Sequence, residues 1–189
     1  MAEPTFDDRL AAAQSGDEVA FTALWRELNP KLVRYLRVLA PSMCDDLASE
    51  TWLNVMRSLG KFSGDESGFT SWVFTIARNK LTDWHRHEAR RPADSLDDST
   101  AQDVAADDDT ELAALEHLST EAALALIASL PKDQAEIVVL RVVAALDVVD
   151  VARIVKKSPG AVRVSSHRAL RTLHAEFAAR AAATTSERL

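Results

Sequence analysis

The side chains best suited to chemistry in this chain are the cations in and around Ser158-Pro159-Gly160-Ala161-Val162-Arg163-Val164-Ser165-Ser166-His167-Arg168. The chemistry they suit is the reading of a polyanion, not the making of bonds. Ser158 is a good helix cap, and Pro159 fits the first helical position, where no backbone N–H is needed. Arg163, His167 and Arg168 follow, and no acid stands between Asp150 and Glu176. A short capped helix, basic on one side, is what the major groove of DNA admits. Arg163, Val164, His167 and Arg168 are the candidate DNA contacts of this helix, and Lys156, Lys157 and Arg171 are better placed for phosphates, which add affinity without sequence information. The six Lys and Arg among residues 151–174, with no acid beside them, make an ordinary solvated surface helix the poorer account.

Catalysis finds no comparable support. His85, His87, His117, His167 and His174 do not cluster with acids at metal-ligand spacing, and His85 and His87, two apart on a helix, point in different directions. There is no glycine-rich phosphate loop and no nucleophile motif, so neither a cofactor nor a metal is expected.

The elements that must carry these residues read as helices. Asp147 to Val155 is an amphipathic helix, Lys156-Lys157 a turn, and Ser158 opens the next helix, which makes a helix-turn-helix. Thr120 to Leu130 and Lys132 to Val143 are helices on either side of Leu130-Pro131. From Ala178 onward the residues are polar or Ala, and a fraying tail is expected. In the first half, Ala20, Leu24, Leu28, Leu32, Tyr35 and Leu36 recur at helical spacing, with a break expected at Asn29-Pro30. Ser42 with Asp45 resembles a capping box for a helix whose inner side carries Leu47, Thr51, Val55 and Leu59. Residues 60–68 contain three glycines and read as a loop. A helix from Thr70 to Arg90 follows, with Val73, Ile76, Ala77, Leu81 and Trp84 inward and Arg78, Thr82, His85 and Arg86 outward.

Composition bounds the rest. The chain has 189 residues, 47% of them hydrophobic, with five Gly, which favours one medium or two small helical domains. Cys44 is the single cysteine, so there is no disulfide framework, and a reduced intracellular compartment is expected. At a helix start Cys44 fits either an activated redox thiol or an inert buried one. The acidic N-terminus lacks the order of a signal peptide, and no apolar run has the length of a membrane span, so a cytoplasmic protein is expected. Net charge is −7. Its distribution is uneven: residues 1–92 carry −1, residues 93–121 carry −10 with no cation, and residues 122–189 carry +4. Local charge decides nucleic-acid binding, so the total is no objection. The acidic stretch cannot bury enough apolar surface to offset its ordering entropy and reads as a flexible linker. A sharper alternative has its acids mimic nucleic acid against basic surfaces.

Two sets of motifs then resemble a known family. Asp45-Asp46-Leu47-Ala48-Ser49-Glu50-Thr51-Trp52-Leu53 resembles the D-x-x-Q-E-x-F-L helix of sigma factor region 2. Phe69 to Trp84 resembles the F-x-x-W-L-x-x-I-A-R-N-x-x-x-D segment that follows it. Leu130-Pro131, Gln134 and Ile137-Val138-Val139-Leu140-Arg141 are similar to the opening of sigma region 4, and Gly160-Ala161-Val162-Arg163 with His167-Arg168-Ala169 to its recognition helix. In this order, joined by an acidic linker, they resemble a sigma-70 family factor of the extracytoplasmic-function (ECF) type.

The resemblance implies an all-α fold of two small helical domains. Residues 1–92 would be region 2, 93–118 the flexible linker, 119–178 region 4 and 179–189 a tail. It implies a subunit that binds core RNA polymerase, reads the minus-35 element as duplex and helps melt the minus-10 element, under the control of an anti-sigma factor. Single-strand capture would fall to Lys61, Phe62, Ser63 and Gly64 in the loop and to Arg78, Asn79, His85 and Arg86 on the helix. Phe62 and Phe69 read chiefly as anchors of the loop, and Asn79 fits a base contact or a brace equally well. Polymerase contact would use Asp46, Glu50, Leu53 and Asn54. Acids near a helix N-terminus also explain Asp45 and Asp46, but not an outward Leu53. Three positions depart from the family: Ser49 replaces a common Gln, Arg163-Val164-Ser165 replaces K-S-R, and 147–152 is unusually apolar, suggesting an added contact surface. The alternative is a helix-turn-helix regulator that binds duplex DNA without polymerase; the first-half motifs weigh against it.

Overall fold

The structure is a computed structural model that describes residues 4–90 and 111–186, with side chains described for 4–90 and 120–177. Among the described residues every regular element is helical. The first half holds α1 (Phe6–Gln14), α2 (Glu18–Leu39), α3 (Cys44–Ser58) and α4 (Glu66–Glu88). The second holds α5 (Glu111–Ala128), α6 (Lys132–Val142), α7 (Val148–Val155) and α8 (Pro159–Ser186).

Local chemistry explains where these helices begin. Thr5 and Asp8 form a reciprocal capping box on α1. The Asp17 carboxylate accepts from the N–H groups of Val19 and Ala20 to open α2. Asp147 accepts from the Asp150 N–H at 2.7 Å to open α7. Ser158 Oγ accepts from the Ala161 N–H at 3.2 Å, with Pro159 as the first residue of α8, as the sequence predicts.

Several boundaries differ from the sequence reading. Helix α2 runs through Pro30 without the expected break, since Leu28, Leu32, Tyr35 and Leu36 are buried on either side of it. Burial of that stripe outweighs the loss of one backbone donor. Ser42 does not cap α3: it lies in a short 3-10 turn, Pro41–Met43, and Met43 precedes the helix without a side-chain cap. Helix α4 begins at Glu66, inside the expected loop, because Asp65 accepts from the Gly68 N–H at 2.8 Å and starts the turn early. Helix α5 begins at Glu111, within the segment expected to be linker, and α8 continues to Ser186, past the expected tail start. The Ala-rich composition of both stretches supplies the helix propensity. Most of the acidic stretch, and with it any inhibitory role of its acids, lies outside the described residues.

In the first half, α2, α3 and α4 converge on Leu32, Leu36, Val55, Val73, Phe74 and Ala77, all fully or almost fully buried. The Tyr35 ring meets Phe74 edge-on at 5.3 Å, and Trp52 Nε1 donates to Asn29 Oδ1 at 2.9 Å. In the second half, Ile137, Leu140, Val151, Ile154, Val155, Val162 and Ala169 close the core. The two halves also pack on each other, α6 against α2 and α7 against α4, so one apolar cluster spans both. In the unusually apolar 147–152 segment Val151 and Ala152 are buried and Val149 is exposed, and Asp150 accepts from the Ser71 hydroxyl of α4 at 3.3 Å.

Candidate nucleic-acid interface

The α7–turn–α8 unit is built around a tight reversal. Lys156 closes α7 in the left-handed conformation (φ 56°, ψ 45°), and the Lys157 N–H returns to the Ala152 carbonyl. Left-handed backbone at this point re-aims the chain, so α8 leaves at a new angle. Val162 and Ala169 are fully buried on its inner side. Arg163, Val164, His167, Arg168 and Arg171 are exposed on the opposite side, Arg163, His167 and Arg171 at i, i+4 and i+8. Val164 is 52% exposed, an apolar group among cations that suits a thymine methyl. Lys156 and Lys157 are exposed at the turn, and Lys157 Nζ pairs with Asp133 of α6.

The second set of residues surrounds the junction of α3 and α4. Lys61, Ser63 and Gly64 are exposed, whereas Phe62 is half-buried. The Phe62 ring lies 5.4 Å from Phe69 and 4.9 Å from Trp72, so it anchors the loop and does not offer a face for stacking. Gly64 has φ +155°, and a Cβ there would meet the Phe62 ring at 3.1 Å, so the loop needs glycine. The loop is tied down from outside: Gln14 Nε2 donates to the carbonyls of Leu59 at 2.9 Å and Phe62 at 2.8 Å. Asn79 is exposed in a cleft with Asn54, Arg57, Trp72, Ile76 and Lys80.

The outward face expected for α4 is only partly outward. Arg86 is exposed beside Asp83, but Arg78 is covered by α6. Its Nε donates to Glu136 Oε1 at 2.7 Å, and Tyr35 Oη donates to the same oxygen at 3.1 Å. Tyr35 is fully buried; burial first, and the nearby Glu136 carboxylate second, push its phenol well above the ordinary range. Thr82 and His85 line a cleft with Lys132, Asp133 and Glu136. Loss of water, then Lys132, holds the His85 ring below its ordinary value, with Glu136 opposing. A helical pattern identifies a polar row but not the helix that covers it, and nothing in the sequence singled out Glu136 or Tyr35 as its partners.

On α3, Asp46, Glu50 and Leu53 are exposed and Asn54 half-buried, while Glu50 pairs with Lys80 at 2.9 Å. Leu53 is 50% and Met56 57% exposed, one turn apart. Met56 was readable from its i+3 spacing to Leu53; Gln14 carried no such signal. Cys44 is buried, and that burial, with Asp45 beside it, pushes its thiol up, away from an activated thiolate. Among the described residues no group of three or more His, Cys, Asp or Glu could hold a metal, and no helix is long and apolar enough to cross a membrane.

Comparison with known proteins agrees with this arrangement. Residues 24–91 match the model of Sigma-70 region 2, and residues 120–173 that of Sigma-70 region 4. The chain is 34% identical over 172 residues to the ECF RNA polymerase sigma factor ShbA of Streptomyces griseus, covering 86% of this chain and 90% of that one. It is 34% identical over 166 residues to the ECF RNA polymerase sigma factor BldN of Streptomyces coelicolor, covering 85% of this chain and 61% of BldN. The fold is similar to that of CnrH, solved in complex with the cytosolic domain of CnrY, with a TM-score of 0.61 at 22% identity, over 90% of this chain and 96% of that one. With both sigma regions matched in order, and a relative aligned over nearly its whole length, the chain belongs to the ECF sigma factors of the sigma-70 family.

Proposed function

We propose that this protein joins core RNA polymerase through the exposed face of α3 and directs initiation at promoters that it reads with two separate surfaces. The observation that carries this reading is the exposed row of Arg163, Val164, His167, Arg168 and Arg171 on α8, in the same chain as the braced loop at Lys61 to Gly64. Arg163, Val164, His167 and Arg168 read the minus-35 duplex, and Lys156, Lys157 and Arg171 hold its phosphates. Lys61, Phe62, Ser63 and Gly64 shape the pocket for an extruded minus-10 base, while Arg78, Asn79, His85 and Arg86 track the separated strand. Asp46, Glu50, Leu53 and Asn54 meet polymerase, with Met56 extending the apolar part of that patch. The protein works in the cytoplasm as a binding subunit with no reaction of its own. An anti-sigma factor covering Leu53 and Met56 would hold it inactive.

A helix-turn-helix regulator independent of polymerase has no use for the loop and α3 face of the first half. Transcription from purified core polymerase on a promoter library, with and without this protein, separates the two readings. Initiation at a defined promoter set only in its presence is expected; initiation unchanged by the protein refutes the proposal.

A further inference from the structure

The end of α1, the start of α2 and the end of α3 form the sides of a groove of about 490 Å³. Much of its lining is apolar. Ala13 and Leu59 are buried, Phe21 is half-buried and meets Trp52 edge-on at 6.0 Å, and Met56 is 57% exposed. Gly16, at φ +95°, has no heavy atom within 4 Å of where a Cβ would stand, so the groove is open on that side. The charge of the lining has one sign: Asp17 and Glu18 contribute to it, and no Lys or Arg does. Asp17 spends one oxygen on capping α2, and Glu18 has no ion pair among the described residues.

A groove of this volume lies in the range of roughly 300–1,000 Å³ typical of small-molecule sites. Two carboxylates without a cation repel an anionic ligand and gain nothing from a neutral one. We propose that the groove binds an organic cation, an alkyl- or arylamine whose apolar body lies against Phe21, Leu59 and Met56 and whose ammonium is met by Asp17 and Glu18. The unbranched Met56 side chain adapts to bodies of different shape. Gln14 carries the effect of binding to the loop. Its Nε2 donates to the carbonyls of Leu59 and Phe62, while its Oε1 makes no hydrogen bond among the described residues. An ammonium donating to Oε1 polarises the amide and strengthens both donations. The amine thus tightens the loop at Lys61 to Gly64 and favours promoter opening, an effect on opening that rests on the reading of that loop as the receiver of a base.

The test titrates the isotope-labelled full chain with phenylbutylamine, phenylbutanol and phenylbutyrate, followed by NMR shifts and amide exchange. The amine should shift Gly16, Phe21 and Thr22, bind about three- to fivefold more tightly than the alcohol, as an exposed ion pair does, and slow exchange at Phe62 and Gly64. High salt should erase that preference. Asp17→Asn with Glu18→Gln keeps the α2 cap and should make amine and alcohol equal, with thermal unfolding showing the variant folded. Gln14→Ala should keep the shifts at Phe21 and Thr22 and lose the slowed exchange at Phe62 and Gly64. Equal affinity for the three probes, or shifts that do not gather at the groove, overturns the site. Groove shifts with unaltered exchange at Phe62 and Gly64 overturn the link to the loop. Core-polymerase transcription is run beside it with and without the amine: no initiation in either refutes the sigma reading and leaves the amine site standing.

Discussion

Gln14, the last residue of α1, donates its side-chain amide to the backbone carbonyl of Phe62 at 2.8 Å, tying the N-terminal helix to the loop proposed to receive a base. The same amide also holds Leu59, so one side chain fixes two points of the loop. Each such bond contributes about 0.5–1.5 kcal/mol net. Gln14→Ala should therefore loosen the loop and slow promoter opening about five- to tenfold. Permanganate reactivity of unpaired thymines should fall while binding to minus-35 duplex stays unchanged. A parallel loss of duplex binding would show that Gln14 acts on the fold at large.

Leu53 is half exposed on α3 and buries little within the chain. Leu53→Ser should lower affinity for core polymerase about tenfold, as expected of an apolar anchor at an interface. The thermal midpoint should move little, since exposed substitutions usually stay within about 0.5 kcal/mol. Competition for core polymerase against a labelled sigma factor measures the first, and calorimetry the second.

The cations around α8 should separate by role. Arg168→Ala should cost about 1–3 kcal/mol on the preferred minus-35 duplex and relax preference at one base pair. Lys156→Ala should weaken all duplexes alike and reduce the salt dependence of binding by about one counterion. Fluorescence anisotropy on matched and mismatched duplexes over a salt series distinguishes them. Unchanged base preference in Arg168→Ala would remove it from the base-facing set.

His85 predicts the behaviour of the α4–α6 cleft in acid. Its folded pKa lies below the ordinary 6.5, through loss of water first and Lys132 second, with Glu136 opposing. A group depressed on folding contributes stability above its unfolded pKa, and that contribution is lost as pH falls through the folded value. The protein should thus lose stability below about pH 6.5, and His85→Gln should flatten that slope. NMR titration of the ring gives the pKa directly; a value at or above 6.5 contradicts the assignment.

The parts of this fold legible in the sequence were those written in local chemistry. Ser158 caps the second helix of the helix-turn-helix by a short-range hydrogen bond, as read, while Asp147 caps the first, where the sequence reading had only started the helix. Pro30 misled because its cost is local whereas the burial of Leu32 and Tyr35 that offsets it is tertiary. Ser42 misled because Pro41 draws it into a 3-10 turn. Arg78 was expected outward, but Glu136, 58 residues away on another helix, pairs with it and covers it. Periodicity tells which side of a helix is polar and says nothing of what will sit against it. The Gln14 brace was illegible for the same reason, its acceptors being backbone carbonyls that any residue supplies.

The turn before α8 places Lys156, a residue with a full side chain, in left-handed backbone at φ 56°. That conformation costs an L-residue roughly 1–2 kcal/mol that glycine would not lose. Lys156→Gly should accordingly raise the melting temperature while removing a cation from the mouth of the recognition helix. If Lys156 holds phosphate as proposed, folding and promoter binding want different residues at this one position. A variant improved for heat tolerance here would be a weaker binder, which makes position 156 a poor target for stabilisation and a good one for lowering activity without unfolding the protein.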